Sequence, residues 1–212
     1  MGAPSVFLRL YGCNLSCIWC DTPYAWTNTI NKTIKHWSLD KTVYKIKNSW
    51  LCQNTKIQKR LVVTGGEPLL QQKLLSVLVT RLPNWVIEIE TNGTIVPEEK
   101  LIKYCQFNCS PKTRNSRNSR TKRLNPRAIK TLRQANTIFK FVAENKKDIT
   151  KFENDYITPF NIDPNQVIIM PQGKTRNQII KIARSIVKIV NIKGYRLLLR
   201  LHIDLWGKKK RV

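Results

Sequence analysis

The chain has 212 residues, 42% of them hydrophobic, and its 38 Lys and Arg residues outnumber 13 Asp and Glu to give a formal net charge of +25. A domain typically holds about 100–200 residues, so this length and composition predict one domain with a sizeable core and exclude a chain that is disordered throughout. No run approaches the roughly 18 apolar residues of a membrane span, and the first ten residues lack the pattern of a secretory signal. A cytoplasmic protein is therefore expected.

Short apolar segments rich in β-branched residues alternate along the chain with longer polar or amphipathic segments. The short segments are mostly apolar, which is typical of strands buried on both faces of a parallel sheet. We predict strands over residues 6–10, 61–64, 86–90, 104–109, 138–142 and 167–170.

Helices are predicted between these strands from capping residues and from apolar residues at helical spacing. Residues 39–50 follow Ser38 as an N-cap, residues 69–82 end before Pro83, and residues 177–190 repeat an apolar stripe. The alternation of strands and helices predicts the α/β class with a mainly parallel sheet.

The basic segment 114–127 interrupts this alternation, because its Arg, Asn and Ser residues show almost no apolar periodicity. We predict an exposed loop there. Together with residues 208–211, this segment holds the densest basic clusters of the chain. Clustered cations are typical of nucleic-acid binding, but a basic solvated surface gives the same composition, and both interpretations stay open.

Three cysteines lie close together directly after the first predicted strand. Cys13, Cys17 and Cys20 have the spacing C-x3-C-x2-C. A structural zinc site normally has four protein ligands, and an iron–sulfur cluster is usually held by four thiolates. Three thiolates leave one iron of a [4Fe–4S] cluster open, which is useful where a ligand binds that iron. The spacing therefore predicts such a cluster, and three ordinary buried cysteines are the alternative.

This cysteine pattern resembles that of the radical S-adenosylmethionine superfamily. In that superfamily the open iron chelates S-adenosyl-L-methionine, and one electron from the cluster cleaves it to give a 5′-deoxyadenosyl radical. The segment Gly65-Gly66-Glu67-Pro68, which follows the second predicted strand, resembles the GGEP segment that holds the methionine moiety there. The resemblance implies a partial (βα) barrel.

Five further segments narrow the resemblance to the 7-carboxy-7-deazaguanine synthase family. They lie at residues 2–13, 20–26, 88–94, 110–112 and 201–207. The resemblance implies a homodimeric carbon–nitrogen lyase of queuosine and 7-deazapurine biosynthesis. It would convert 6-carboxy-5,6,7,8-tetrahydropterin to 7-carboxy-7-deazaguanine with loss of ammonia, using S-adenosyl-L-methionine and Mg²⁺. The chain is expected to form a single domain over residues 1–212, without a Gln-Gly-Glu-Gly segment that the family carries upstream.

The resemblance also implies roles for individual residues. Cys13, Cys17 and Cys20 would hold the cluster, and Thr22 would bind Mg²⁺. The pterin would contact Arg9, Thr64 and the terminal Val212, since a guanidinium fork suits its carboxylate. The residues implied to contact S-adenosyl-L-methionine are Trp19, Cys20, Asp21, Gly66, Ser110, Pro111, Lys112, Met170, Pro171, Gln172 and Gly173.

Several alternatives stay open at the level of single residues. Thr22 is equally explained as the cap of a turn, and Glu90, which shares a strand face with Glu88, could belong to the site or to a structural ion pair. Cysteines outside the cluster segment are expected to be ordinary buried thiols, although a second cluster is conceivable. These are Cys52, Cys105 and Cys109.

Two other functions compete with the synthase. A small radical enzyme such as a glycyl-radical activase would share the cysteine pattern and the glycine-rich segment. A basic RNA-binding module with a structural metal would explain the charge. For the synthase, the expected partners are a small pterin and an electron donor such as flavodoxin or ferredoxin, with no membrane and no obligatory nucleic acid.

Overall fold

The computed structural model describes residues 2–27 and 34–207. The chain divides into two compact units, Met1–Thr137 and Ile138–Val212. The terminal Val212, predicted above to lie near the substrate, is outside the described residues.

The first unit is built on four parallel strands: β1 (Val6–Leu10), β2 (Lys59–Gly65), β3 (Trp85–Thr91) and β4 (Cys105–Cys109). They pair in chain order, β1 with β2, β2 with β3 and β3 with β4. The α-helices described in this unit are α1 (Leu39–Asn48), α2 (Gln72–Leu78), α3 (Glu99–Tyr104), α4 (Arg120–Arg123) and α5 (Pro126–Gln134).

The two faces of this four-stranded sheet differ in polarity. On one face Val63, Ile89 and Phe107 align across β2, β3 and β4, and each is at most 1% exposed. Side chains alternate between the faces along a strand, so the neighbouring positions project to the other side. That opposite face carries polar residues near the carboxyl ends of the strands, and these ends are where ligands bind in parallel α/β folds.

The second unit contains the parallel strands β5 (Thr137–Ala143), β6 (Val167–Pro171) and β7 (Arg196–Leu197), of which β5 begins at the last residue of the first unit. Its core includes Phe141, whose ring stacks on Phe152 at 4.7 Å between centroids and lies 6.0 Å from Tyr156. The α-helices described in this unit are α6 (Lys146–Phe152), α7 (Thr158–Phe160), α8 (Arg176–Ile192) and α9 (Leu201–Trp206), and a π-helical turn, Glu153–Ile157, joins α6 to α7.

The predicted α/β class and parallel pairing are confirmed, and all six predicted strands form within one or two residues of the predicted bounds. Ser38 caps α1 as predicted, because its Oγ accepts from Lys41 N at 3.3 Å. The prediction of helix over residues 69–82 is only partly confirmed, since α2 lies between the 3₁₀ turns Pro68–Gln71 and Val79–Arg81. No helix among the described residues combines the length and the apolarity needed to cross a membrane.

The prediction of an exposed loop over residues 114–127 is only partly confirmed: more than half of the segment is exposed, but it is not a loop throughout. This segment contains the 3₁₀ turn Arg114–Ser116 and the helix α4, and it leads into α5. Ser116 is fully buried and Asn118 is 8% exposed. Hydrogen bonds rather than apolar contacts hold these polar side chains inside, which is why the hydrophobic pattern gave no sign of them.

Candidate active site

Four segments that carry the predicted site follow the carboxyl ends of the four strands of the first unit. The cysteine segment follows β1, the glycine-rich segment follows β2, residues 92–94 follow β3 and residues 110–112 follow β4. Because the strands are parallel, these ends lie at one edge of the sheet. The fold therefore brings together segments that are up to about a hundred residues apart in the sequence.

Backbone contacts fasten the cysteine segment to its neighbours. Gly12 N donates to Ala25 O at 2.8 Å, and Gln71 Nε2 donates to Tyr11 O at 3.0 Å. From the glycine-rich segment, Glu67 N donates to Gly12 O at 2.8 Å. The cysteines thus stand on a loop whose start is held from two sides.

Two glycines, the last residue of β2 and the residue after it, allow this close approach. A Cβ added to Gly65 would lie 2.0 Å from Leu10 O, and Gly65 has a φ of +148°, which disfavours other residues. A Cβ added to Gly66 would lie 2.1 Å from Gly12 O and 2.8 Å from Cys13 Cβ. Gly66, predicted to contact the cofactor, is therefore placed directly against the cysteine segment.

The sulfur atoms of Cys13 and Cys20 each accept a hydrogen bond from an N–H group. Leu15 N donates to Cys13 Sγ at 3.4 Å, and Asn92 Nδ2 lies 4.0 Å from the same sulfur. Trp26 Nε1 donates to Cys20 Sγ at 3.4 Å. Donors of this kind stabilise a thiolate, which is the form that binds iron.

Cys17 receives its donor from the segment that the sequence had predicted as a loop. Asn118 Nδ2 donates to Cys17 Sγ at 3.3 Å, and Asn118 Oδ1 accepts from Ser16 N at 3.1 Å. Ile18 N donates to Ser116 O at 3.3 Å. Sequence analysis missed Asn118 as a site residue.

The cysteine thiols of this segment are suited to binding a metal cofactor, which takes the place of the thiol protons. Burial raises the pKa of the Cys13 thiol, and burial also raises the pKa of the Cys17 thiol, against the opposing positive charge of Lys112. Metal binding to such thiols displaces their protons. Within residues 2–27 and 34–207, no three His, Cys, Asp or Glu side chains converge on a single metal ion. A [4Fe–4S] cube binds each thiolate through a different iron, so it does not require such convergence.

Glu67 connects the glycine-rich segment to the end of β3. Its side chain is buried, 1% exposed, and accepts from Leu69 N at 3.0 Å, Thr91 Oγ1 at 2.8 Å and Asn92 N at 2.6 Å. Burial raises the pKa of the Glu67 carboxyl, and these donors act in the opposite direction. The carboxylate therefore has a structural task in holding two strand ends together.

A chain of amide and hydroxyl groups extends from this point to the cysteine segment. Asn92 Nδ2 donates to Asn14 Oδ1 at 2.9 Å, and Asn14 Nδ2 donates to Thr94 Oγ1 at 2.7 Å. Asn92 also faces Cys13, as described above. The motif at residues 88–94 thus orders the cysteine segment, a role that its sequence did not reveal.

Three of the residues predicted to contact the cofactor are brought together around Lys112. Its Nζ donates to Ser110 Oγ at 2.9 Å and lies 5.4 Å from the centroid of the Trp19 ring. Trp19 Nε1 is buried and has no hydrogen-bond partner among the described residues. A buried donor beside a cation is suited to an anionic or carbonyl-bearing ligand.

Thr22 caps a turn, as one of its two interpretations has it, because Ala25 N donates to Thr22 O at 2.9 Å. Thr22 occupies the N-cap position of the 3₁₀ turn Pro23–Ala25, but its side chain makes no capping hydrogen bond. Its Oγ1 lies 3.7 Å from Cys20 Sγ. Asp21, beside it, is exposed.

A row of polar residues crosses the open face of the sheet. Arg9, Thr64, Glu90 and Asn108 are register partners on β1, β2, β3 and β4, so they share one face. Thr64 Oγ1 donates to Glu90 at 2.8 Å, and Arg9 lies 5.8 Å from the ring centroid of Tyr24. Arg9 and Thr64, two of the three residues predicted to contact substrate, are therefore adjacent.

Glu90 forms no salt bridge within the part of the chain that the structure describes, which favours its interpretation as a site residue over that of a structural ion pair. Glu88 instead forms the ion pair, with Arg60, and it also accepts from Asn108 Nδ2 at 2.7 Å. Among the described residues, Glu90 thus stays on the open face with the Thr64 hydroxyl as the hydrogen-bond partner of its carboxylate.

Met170, Pro171, Gln172 and Gly173 lie in the second unit, at the carboxyl end of β6. Gln172 N donates to Ala143 O at 2.9 Å, and Arg200 Nη1 donates to Gly173 O at 3.4 Å. Their predicted contact with the cofactor stays a prediction.

The remaining cysteines have no metal-like surroundings among the described residues. Cys105 is 4% exposed, and burial raises the pKa of its thiol to about 12. Cys109 is fully buried, and burial raises its pKa further. These properties are typical of ordinary buried thiols.

Comparison with known proteins agrees with this geometry. Residues 4–126 match the family model described as "4Fe-4S single cluster domain". The 7-carboxy-7-deazaguanine synthase of Pyrobaculum aerophilum is 29% identical over 99% of this chain and 89% of its own length. The enzyme of that name from Hyperthermus butylicus is 33% identical over 80% of this chain and 69% of its own length.

A solved structure shows the fold. The crystal structure of QueE from Escherichia coli superposes with a TM-score of 0.68 over 94% of this chain and 86% of that protein, at 20% sequence identity. The Pyrobaculum relative and the shared fold each cover nearly the whole chain, and the family model covers residues 4–126. The chain therefore belongs to the 7-carboxy-7-deazaguanine synthase family.

Proposed function

We propose that this protein is a radical S-adenosylmethionine enzyme that converts 6-carboxy-5,6,7,8-tetrahydropterin to 7-carboxy-7-deazaguanine with release of ammonia, in queuosine and 7-deazapurine biosynthesis. The observation that carries the proposal is the set of three cysteine sulfurs, each with an N–H donor, beside two glycines that admit backbone contact. When bound, the cluster and S-adenosyl-L-methionine would supply the radical that attacks the substrate.

Cys13, Cys17 and Cys20 would hold the cluster, and the residues around Gly66 would hold S-adenosyl-L-methionine. Because Gly65 and Gly66 have no side chains, a ligand can approach their backbone N–H and C=O groups closely. Lys112 and the indole N–H of Trp19 offer a positive charge and a donor beside the cysteines. These groups suit the amino acid end of the cofactor.

The open face of the sheet would bind the pterin. Arg9 is exposed and can direct two parallel N–H donors at the substrate carboxylate. Phe7, two residues earlier on the same face, is 64% exposed and offers an apolar surface to a planar ring. Thr64 and Glu90 provide a hydroxyl and a carboxylate for the polar edge of that ring.

Further parts of the proposal rest on the family resemblance. They are Mg²⁺ at Thr22, the contribution of residues 170–173 to the cofactor site, a homodimer, a cytoplasmic location and a donor such as flavodoxin or ferredoxin. Thr22 is compatible with magnesium chemistry because its hydroxyl makes no capping hydrogen bond.

The proposal is tested by anaerobic purification, cluster loading and turnover with a chemical reductant. We expect a brown protein that cleaves S-adenosyl-L-methionine only with the carboxylated tetrahydropterin and forms 7-carboxy-7-deazaguanine, identified by mass spectrometry. Cleavage without pterin turnover would indicate another radical enzyme, such as a glycyl-radical activase. A colourless protein that binds zinc and RNA would indicate the RNA-binding module.

Replacing Arg9 with alanine is expected to weaken pterin binding. A charge-assisted hydrogen bond contributes about 1.5–3 kcal/mol, so KM for the pterin should rise by roughly 10- to 100-fold while KM for S-adenosyl-L-methionine stays unchanged. Arg81→Ala is the matched control, because Arg81 pairs with Asp40 on the surface and is 55% exposed. An unchanged pterin KM in Arg9→Ala would remove Arg9 from the substrate site.

Removing the side-chain donors at the sulfurs is expected to make the cluster harder to reduce. An N–H group directed at sulfur stabilises the additional negative charge of the reduced cluster. Trp26→Phe and Asn118→Leu should each therefore shift the midpoint potential to a more negative value, measured by redox titration with paramagnetic resonance. Trp37→Phe, at a residue that is 39% exposed, is the control. Unshifted potentials in both variants would contradict the assignment of these donors.

A further inference from the structure

A cavity of about 610 Å³ beside the cysteine segment is lined mainly by arginine. We call it the arginine cavity; the residues that line it are Arg114, Arg117, Asn118, Ser119, Arg120 and Arg123. Three of its arginines are exposed, while Arg123 is 5% exposed and donates to Lys112 O at 3.0 Å. In the sequence, no acidic residue occurs between Glu99 and Glu144. The arginines that line the cavity therefore concentrate positive charge at this part of the surface.

The arginine cavity adjoins the predicted cluster. Asn118 lines the cavity and donates to Cys17 Sγ at 3.3 Å, so one side chain separates the cavity from a cluster ligand. Ile18, the next residue after Cys17, is bonded to Ser116 through its backbone and is 60% exposed. The cysteine segment thus exposes the apolar side chain of Ile18 at the surface, close to the chain segment that carries the exposed arginines.

We propose that the arginine cavity and Ile18 form the docking site of an acidic one-electron carrier protein that reduces the cluster. The proposal rests on the proposed function only in requiring a redox cluster at Cys17. In each encounter the carrier, with a reduced flavin or iron–sulfur centre, loses one electron and the cluster gains it. A small apolar contact surrounded by one sign of charge suits a transient redox complex, in which opposite charge accelerates association.

The position of the arginines favours a redox partner over RNA. An RNA-binding surface needs cations that follow a phosphate backbone, and stacking groups for the bases. Here the exposed arginines line a cavity that the side chain of Asn118 connects to Cys17, and the exposed hydrophobic side chain at this point of the surface is the aliphatic Ile18. An electron carrier must approach that same point.

The test measures electron transfer directly. Oxidation of photoreduced flavodoxin by the cluster-loaded protein is followed by stopped-flow over a series of salt concentrations. We expect the wild-type rate to fall as salt rises, because salt screens the attraction. The triple variant Arg114→Glu, Arg117→Glu, Arg120→Glu should be slower by about tenfold or more at low salt, which is the scale of electrostatic steering. Dithionite, a small reductant, should reduce the cluster of both proteins equally.

The matched control reverses three charges at the opposite edge of the same sheet. Lys56, Lys59 and Lys103 are exposed, and they lie at or just before the amino-terminal ends of β2 and β4. The triple Lys→Glu variant should keep the wild-type rate. Equal slowing in both triple variants would show a general charge effect and overturn the proposal, as would an unchanged rate in the arginine variant.

Two further measurements distinguish docking of a carrier from loss of the cluster and from RNA binding. If the Arg→Glu triple variant fails to hold a cluster, the Arg→Gln triple variant and the salt dependence of the wild-type rate test the docking site instead. A wild-type rate that does not depend on salt overturns the proposal. If the arginine variant loses affinity for an RNA oligonucleotide but not its electron-transfer rate, the cavity is an RNA site instead. Flavodoxin oxidation needs no pterin turnover, so failure of the proposed reaction is distinguishable from failure of docking.

Discussion

Replacing Cys17 with alanine is expected to abolish both cluster binding and cleavage of S-adenosyl-L-methionine. With three thiolates for a cluster that uses one open iron, the loss of any thiolate leaves two open positions, which exposes the cluster to solvent and oxidation. Iron content, visible absorbance and cofactor cleavage after anaerobic reconstitution measure the effect. Thermal unfolding of the metal-free variant should match that of the metal-free wild type, because only one half-buried thiol is removed.

Cys52→Ala is the control for this change. Cys52 is also half-buried and carries a thiol, but it lies outside the four segments that follow the strand ends. It should retain the full cluster and full activity. Equal losses from Cys17→Ala and Cys52→Ala would refute the three-thiolate assignment, whereas loss from Cys17→Ala alone would support it.

The strands of this protein were predictable because their signal is local. Runs such as residues 61–63 and 167–170 are apolar throughout, and burial of a parallel sheet on both faces favours such runs. Two-residue strands carry no comparable pattern, so β7 was not predicted. The cysteine spacing and the glycine pair are likewise short motifs whose chemistry is legible within a few residues.

The partners of those motifs were not predictable, because they come from distant parts of the chain. Asn118 donates to a sulfur 101 residues away, and Glu67 is held by groups 24 and 25 residues later. A buried asparagine satisfied by hydrogen bonds has no periodic signature in the sequence. The segment around it therefore looked like a solvated loop, although it packs against Cys17.

The same reasoning explains why the sequence left the role of Glu90 open. The alternation of residues 87–90 correctly placed Glu88 and Glu90 on one face. Which of them forms an ion pair depends on the register of β2 against β3, since Glu88 pairs with Arg60 while Glu90 meets Thr64. Register is set by pairing over the whole sheet and cannot be read from a single strand.

Adding one methyl group at Gly66 is expected to disable the site while leaving most of the fold intact. In Gly66→Ala the new Cβ would lie 2.1 Å from Gly12 O and 2.5 Å from Gly12 C. Both are backbone atoms that no rotamer change can move, so the start of the cysteine segment must shift. Even a displacement of about 1 Å can cost roughly 100-fold in rate where reacting groups must be aligned.

We therefore expect Gly66→Ala to cleave S-adenosyl-L-methionine at least about 100-fold more slowly than wild type, with a lower cluster content. Gly194→Ala separates this clash from the general effect of replacing glycine. Gly194 has a φ of +70°, but the nearest atom to its added Cβ is 3.9 Å away, at Pro164. That variant should lose about 1 kcal/mol of stability from backbone strain and keep its activity. Normal cleavage in Gly66→Ala would mean that the cysteine segment does not need its contact with the glycine-rich strand end, and the geometry assigned to the cofactor site would fail with it.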